Sequence, residues 1–205
     1  MPQLAAVDLE CIRGDNLLFE NLNLALHTGQ LLQIEGANGS GKTSLLRILA
    51  GLSRASAGTV LWQGRDIQAH RADYFSCMAY LGHAAGIKGE LSAVENLKIA
   101  LALTGIPYRP AALYDALAQT GLEGREDIPA RALSAGQKQR IALARLLACP
   151  ARLWIMDEPY TALDVDGIAL LRGLLEAHLA NGGLAVLTSH QAVEVRGDVV
   201  RLRLS

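Results

Sequence analysis

The chain has 205 residues, enough for one large domain with a buried core. Nineteen basic residues stand against twenty acidic ones, and the basic ones are scattered, so there is no electrostatic case for a nucleic-acid partner. Cys11, Cys77 and Cys149 lie far apart with no CxxC pair, which argues against a disulfide framework and against a zinc site.

The start, Met1 to Ala5, lacks a basic segment, and Asp8 and Glu10 interrupt any apolar stretch, so no signal peptide is expected. No apolar run reaches the ~18–20 residues that span a bilayer. The richest stretch, Ile141 to Met156, holds Arg145, Pro150 and Arg152. The expectation is a cytosolic chain that can still dock on a membrane protein.

In chain order, short strands are predicted at Leu4 to Glu10, Leu17 to Phe19 and Leu22 to Leu26. Leu31 to Glu35 reads as another strand. Gly36-Ala37-Asn38-Gly39-Ser40-Gly41-Lys42-Thr43 follows it, and Thr43 to Leu52 reads as a helix with Leu45, Leu46, Ile48, Leu49 and Leu52 at helical spacing. Thr59 to Gly64 resembles a strand with turn residues around it. Residues 88–150 read as mainly helical, broken at 105–107 and 121–129. Leu153 to Met156 and Leu184 to Thr188 are short apolar segments that fit buried parallel strands, with a helix over 167–180 between them.

The predicted fold class is α/β: a phosphate-loop nucleotide-binding core with a β-rich N-terminal layer and an inserted helical lobe. One domain spans 1–205, with its core lobe at about 1–87 and 151–205 and its helical lobe at about 88–150.

Residues 36–43 match G-x-x-x-x-G-K-[ST] and sit between a strand and a helix, as that loop requires. Its glycines let consecutive N–H groups turn inward on an anion, and the helix directs its positive end at the same spot. Lys42 adds a point charge for the β- and γ-phosphates of ATP, and the Thr43 hydroxyl can ligate Mg²⁺. Asp157 at the end of an apolar strand can hold the same metal. Glu158 beside it can take a proton from an attacking water. Ser134, with Gln137 three residues on, reads as a helix N-cap in a capping box, Ser134-Ala135-Gly136-Gln137.

Leu133-Ser134-Ala135-Gly136-Gln137 closely resembles the signature motif of ABC-type ATPases, and the other motifs of that family follow in order. The resemblance implies a head-to-tail homodimer in which Ser134, Ala135, Gly136 and Gln137 touch the partner's ATP. Ala162-Leu163-Asp164 resembles the loop that crosses the dimer interface, so Asp164 is an expected interface residue. His190, in Thr188-Ser189-His190, resembles the switch histidine that contacts the γ-phosphate and orients the water. Catalysis is thereby assigned to Glu158 and His190.

Two positions depart from the family pattern. The usual glutamine ahead of the helical lobe falls on His83, which can still bind metal through a ring nitrogen. The usual adenine-stacking aromatic falls near Arg13, whose guanidinium can stack on a flat ring.

Brevity after His190, Gly82-His83, Glu126-Asp127-Ile128-Pro129 and the run Asp157 to Gly167 are most similar to the ATP-binding subunits of the cytochrome c maturation haem exporter. That resemblance implies a peripheral protein on the cytoplasmic face of the bacterial inner membrane. Its implied partners are hydrophobic membrane subunits of the cytochrome c maturation B, C and D type. No His or Cys constellation resembles a haem site. Two alternatives stay open at this point: a soluble non-transport ABC ATPase, such as one of iron–sulfur cluster assembly, and the ATPase of another small ABC exporter.

Overall fold

The computed structural model describes residues 2–104, 108–189 and 192–204. The strands are β1 (Leu4–Arg13), β2 (Asn16–Leu26), β3 (Gln30–Glu35), β4 (Ala57–Trp62), β5 (Arg65–Asp66), β6 (Met78–Leu81), β7 (Leu153–Met156), β8 (Leu184–Thr188) and β9 (Asp198–Arg203). The helices are α1 (Lys42–Leu49), α2 (Arg71–Ser76), α3 (Ala93–Thr104), α4 (Pro110–Gln119), α5 (Ala135–Ala148) and α6 (Val165–Ala180).

Two sheets form. An antiparallel one has the order β2-β1-β4-β5, and a parallel one has the order β6-β7-β8-β3-β9. All four residues of β7 and all five of β8 are buried. Both faces of the parallel sheet are covered, so these strands read as continuous apolar runs without alternation. One core, with Leu4, Leu26, Ile34, Leu45 and Val186, fills the space between the sheets around α1. A second, with Trp154, Met156, Leu171 and Leu175, lies under α6 on the other face. A third joins α3, α4 and α5 through Leu97, Leu113, Leu117 and Ile141. Each fully buried leucine contributes roughly 1.5–3 kcal/mol. Helix α5 feeds two of these cores: Leu143 and Leu146 face the sheet, while Ile141 and Ala144 face α3 and α4.

Two sequence expectations need correction, and two stretches form elements that were not expected. The segments Leu17–Phe19 and Leu22–Leu26 are one strand, carried across Asn21 by a left-handed residue at φ 49°. The first helix stops at Leu49 and not at Leu52, because Gly51 turns left-handed at φ 68° and ends it. The parallel sheet continues past β8 to an edge strand, β9, on the far side of β3. Between residues 65 and 87, where no element was predicted, the chain forms β5, α2 and β6.

One glycine is dictated by its surroundings in the antiparallel sheet. Gly58, at φ 80°, lies so close to the Asp8 carbonyl that a side chain there would collide with backbone. Asp8 is itself left-handed at φ 48° and is held by Asn23, whose Oδ1 accepts from the Asp8 amide at 3.0 Å. This is a β-bulge that shifts β1 by one register between Ala6 and Leu9.

The C-terminal ends of β3, β6, β7 and β8 share one edge of the parallel sheet. In open α/β sheets that edge is where ligands bind. Among the described residues no helix is long and apolar enough to cross a membrane.

Candidate functional site

At that edge lies a cleft of about 520 Å³ lined by Leu18, Asn38, Gly39, Gly41, Lys42, Thr43, Ser44, His83 and Glu158. It therefore brings together the phosphate loop after β3, His83 just beyond β6 and the acid after β7.

The loop is tightly built. Gly36 sits at φ 154°, and a Cβ there would lie 2.8 Å from the Leu204 carbonyl oxygen and would strike the Ser40 hydroxyl. Lys42 is buried and donates to the carbonyls of Gly36 at 2.7 Å and Ala37 at 3.0 Å. Its ammonium thus closes a ring across the loop. The Ser40 hydroxyl is buried and has no hydrogen-bond partner among the described residues. An unsatisfied buried donor is costly. Beside the buried Lys42 ammonium, an incoming anionic oxygen is a partner it fits.

Three hydrogen bonds tie the acids to this loop and to β8. The Thr43 hydroxyl donates to Asp157 Oδ2 at 2.9 Å, and the Thr188 hydroxyl donates to Asp157 Oδ1 at 2.7 Å. The same Thr188 oxygen accepts from the Glu158 amide at 2.8 Å. Asp157 is only 4% exposed, so these two hydroxyls offset the burial of its carboxylate. Thr43 and Asp157 present hard oxygens side by side. Among the described residues no three His, Cys, Asp or Glu side chains converge. This donor set suits Mg²⁺, which is bound by one or two protein oxygens together with phosphate oxygens and water.

Glu158 has a left-handed backbone, φ 50°, which a residue with a side chain rarely adopts. Such strain clusters at functional sites. His83 is exposed where it lines the cleft.

Ser134 to Gln137 lie elsewhere. The capping box forms: Ser134 Oγ accepts from the Gln137 amide at 3.1 Å, and Gln137 Oε1 accepts from the Ser134 amide at 2.9 Å. Ser134 and Ala135 are exposed, and none of the four residues lines the cleft. Asp164 caps α6 by accepting from the Gly167 amide at 2.8 Å and pairs with Arg140 at 3.2 Å. The Gly167 amide first, and Arg140 second, hold its carboxyl below the usual range. His190 lies outside the described residues.

Two site residues escaped sequence reading. Thr188 reads in the sequence as a strand end leading to His190, yet it bridges Asp157 and Glu158. Its signal is a buried hydroxyl at the C-terminal tip of an otherwise apolar parallel strand. Leu18 lines the cleft, whereas Arg13, the position expected near the base, does not.

Known proteins resemble this chain throughout. The ABC transporter family profile matches residues 19–161. The cytochrome c biogenesis ATP-binding export protein CcmA of Methylococcus capsulatus is 65% identical over 202 residues, 98% of each chain. The protein of the same name from Nitrosospira multiformis is 50% identical over 206 residues, covering both chains completely. The structure of a dimeric bacterial ABC transporter cassette superposes with a TM-score of 0.81 at 23% identity, over 98% of this chain and 94% of the other. The chain belongs to the ABC transporter family, in its group of cytochrome c biogenesis ATP-binding export proteins.

Proposed function

We propose that this chain is the ATP-hydrolysing subunit of an ABC transporter of c-type cytochrome biogenesis, coupling hydrolysis to haem export or to release of haem from its chaperone. It works as a head-to-tail homodimer on hydrophobic membrane subunits of the cytochrome c maturation B, C and D type. It sits peripherally on the cytoplasmic face of the inner membrane. The observation that carries the reading is the split of the machinery. The phosphate loop, Asp157 and Glu158 meet at one cleft, while the capped N-terminus of α5 faces solvent away from it.

The amides of residues 36–43 and Lys42 bind the β- and γ-phosphates of ATP. Thr43 and Asp157 hold Mg²⁺, which neutralises phosphate charge when bound. Glu158 accepts the proton of the attacking water. Thr188 keeps Glu158 and Asp157 in register through the two hydrogen bonds described. His190 contacts the γ-phosphate and orients the water. Ser134 to Gln137 of the second copy close the site, since the positive end of the α5 dipole favours an anion. Asp164 lies at the seam between the copies.

Membrane fractionation with and without the candidate membrane subunits tests this assignment. The chain should move to the membrane fraction only when they are co-expressed. A chain that stays soluble in their presence points instead to the non-transport alternative.

His83 is exposed at the cleft wall, and Thr43 and Asp157 supply hard oxygen ligands of their own for the metal. His83→Gln is expected to hydrolyse ATP at roughly the parent rate in the isolated chain. A collapse of that basal rate would show that the imidazole takes part in the chemistry.

A further inference from the structure

The loop joining β7 to α6 is conformationally demanding. Within five residues it holds two left-handed residues that are not glycine, Glu158 at φ 50° and Ala162 at φ 65°. Backbone of this kind persists only where its surroundings over-determine it. Part of the support is internal: the Thr161 amide donates to the Glu158 carbonyl at 3.1 Å, and the Leu163 amide donates to the Tyr160 carbonyl at 3.2 Å.

Thr188 holds the Glu158 amide, and one face of α5 adds further support. Gln139 Nε2 donates to the Pro159 carbonyl at 3.1 Å, one residue from Glu158. Arg140 Nη2 pairs with Asp164 Oδ1 at 3.2 Å, and Arg140 Nη1 donates to the Thr120 carbonyl at 3.4 Å. At Gly136 a Cβ would already press on the Ala162 carbonyl, at 3.2 Å. Positions 136, 139 and 140 follow i, i+3, i+4 and so share one side of the helix. The opposite demand falls on the start of the same helix, where Ser134 and Ala135 are exposed. One rigid element thus touches its own chain's acid-bearing loop while presenting amides outward.

We propose that Gln139 and Arg140 are positioning residues that clamp the Glu158 loop to α5, so that the half-site a chain lends to its partner sets the placement of its own Glu158. This rests on the dimeric reading above. Gln139 acts through the Pro159 carbonyl on the strained turn. Arg140 acts through Asp164 on the far end of the same loop. Neither lines the nucleotide cleft, so neither is needed to bind ATP.

Full-length Gln139→Met and Arg140→Ala test this. Methionine keeps the length of glutamine but cannot donate. Each variant should lose on the order of 10-fold in kcat, the scale of a small misplacement, while the KM for ATP stays within about twofold. The Hill coefficient for ATP should fall towards one. Arg140→Lys, which keeps a cation facing Asp164, should recover most of the turnover.

Mixed dimers locate the action. With Gln139→Met in one copy and Glu158→Gln in the other, the only working Glu158 has lost its clamp, and turnover should fall. With both substitutions in the same copy, turnover should match a mixed dimer carrying Glu158→Gln alone. Equal loss in both arrangements would overturn the proposal, since Gln139 would then be serving only the fold of α5. So would an unchanged kcat, or a KM that rises in step with the loss of kcat. If Glu158→Gln itself left turnover intact in the homodimer, it is the hydrolysis assignment that would fail.

Discussion

Glu158→Gln is expected to bind ATP normally and to hydrolyse it roughly 10²–10⁴-fold more slowly, the usual worth of a positioned general base. Glutamine preserves shape and length, so the strained turn and the bond from the residue-158 amide to Thr188 survive. What disappears is the proton acceptor. With chemistry blocked and binding intact, ATP should hold two copies together, visible as a dimer by size-exclusion chromatography in ATP and as monomer in ADP. Steady-state phosphate release measures the loss. Turnover at the parent level would mean the base is another group.

Lys42→Ala removes binding itself. A charge-assisted contact is worth about 1.5–3 kcal/mol, so ATP affinity should fall by at least about 10-fold from the phosphate contact alone. A second loss adds to it. In the free chain the ammonium bridges the carbonyls of Gly36 and Ala37, and alanine leaves both without that donor. The loop then keeps its glycine turns and the bond from the Ser40 amide to the Ala37 carbonyl, without the ammonium that closes it. Fluorescent-nucleotide titration, with a melting curve to confirm folding, gives the answer. Retained affinity would overturn the assignment of residues 36–43 as the phosphate site.

The phosphate loop, the strand ending at Asp157 and the capped helix at Ser134 were legible because each is a local pattern. Eight consecutive residues make the loop, four buried residues and two acids make the strand end, and a Ser-to-Gln spacing of three makes the box. Features that depend on distant partners were not legible. Strand β9 alternates half-buried Val200 and Leu202 with exposed Arg201 and Arg203 at a sheet edge and carries no long apolar run. The continuity of β2 through Asn21 depends on its pairing with β1 across the bulge. Thr188 gains its role only when β8 lies next to β7 and presents its hydroxyl to Asp157. The Gln139 and Arg140 contacts join residues about twenty positions apart, and helical periodicity accounted for that segment as a packed helix.

The ring that Lys42 closes over Gly36 and Ala37 has a thermodynamic consequence. These residues surrender their conformational entropy when the chain folds, before any nucleotide arrives. ATP therefore meets a receptor that needs no ordering, and its association is governed by diffusion and desolvation. ADP departs by breaking contacts, without waiting for a loop to melt.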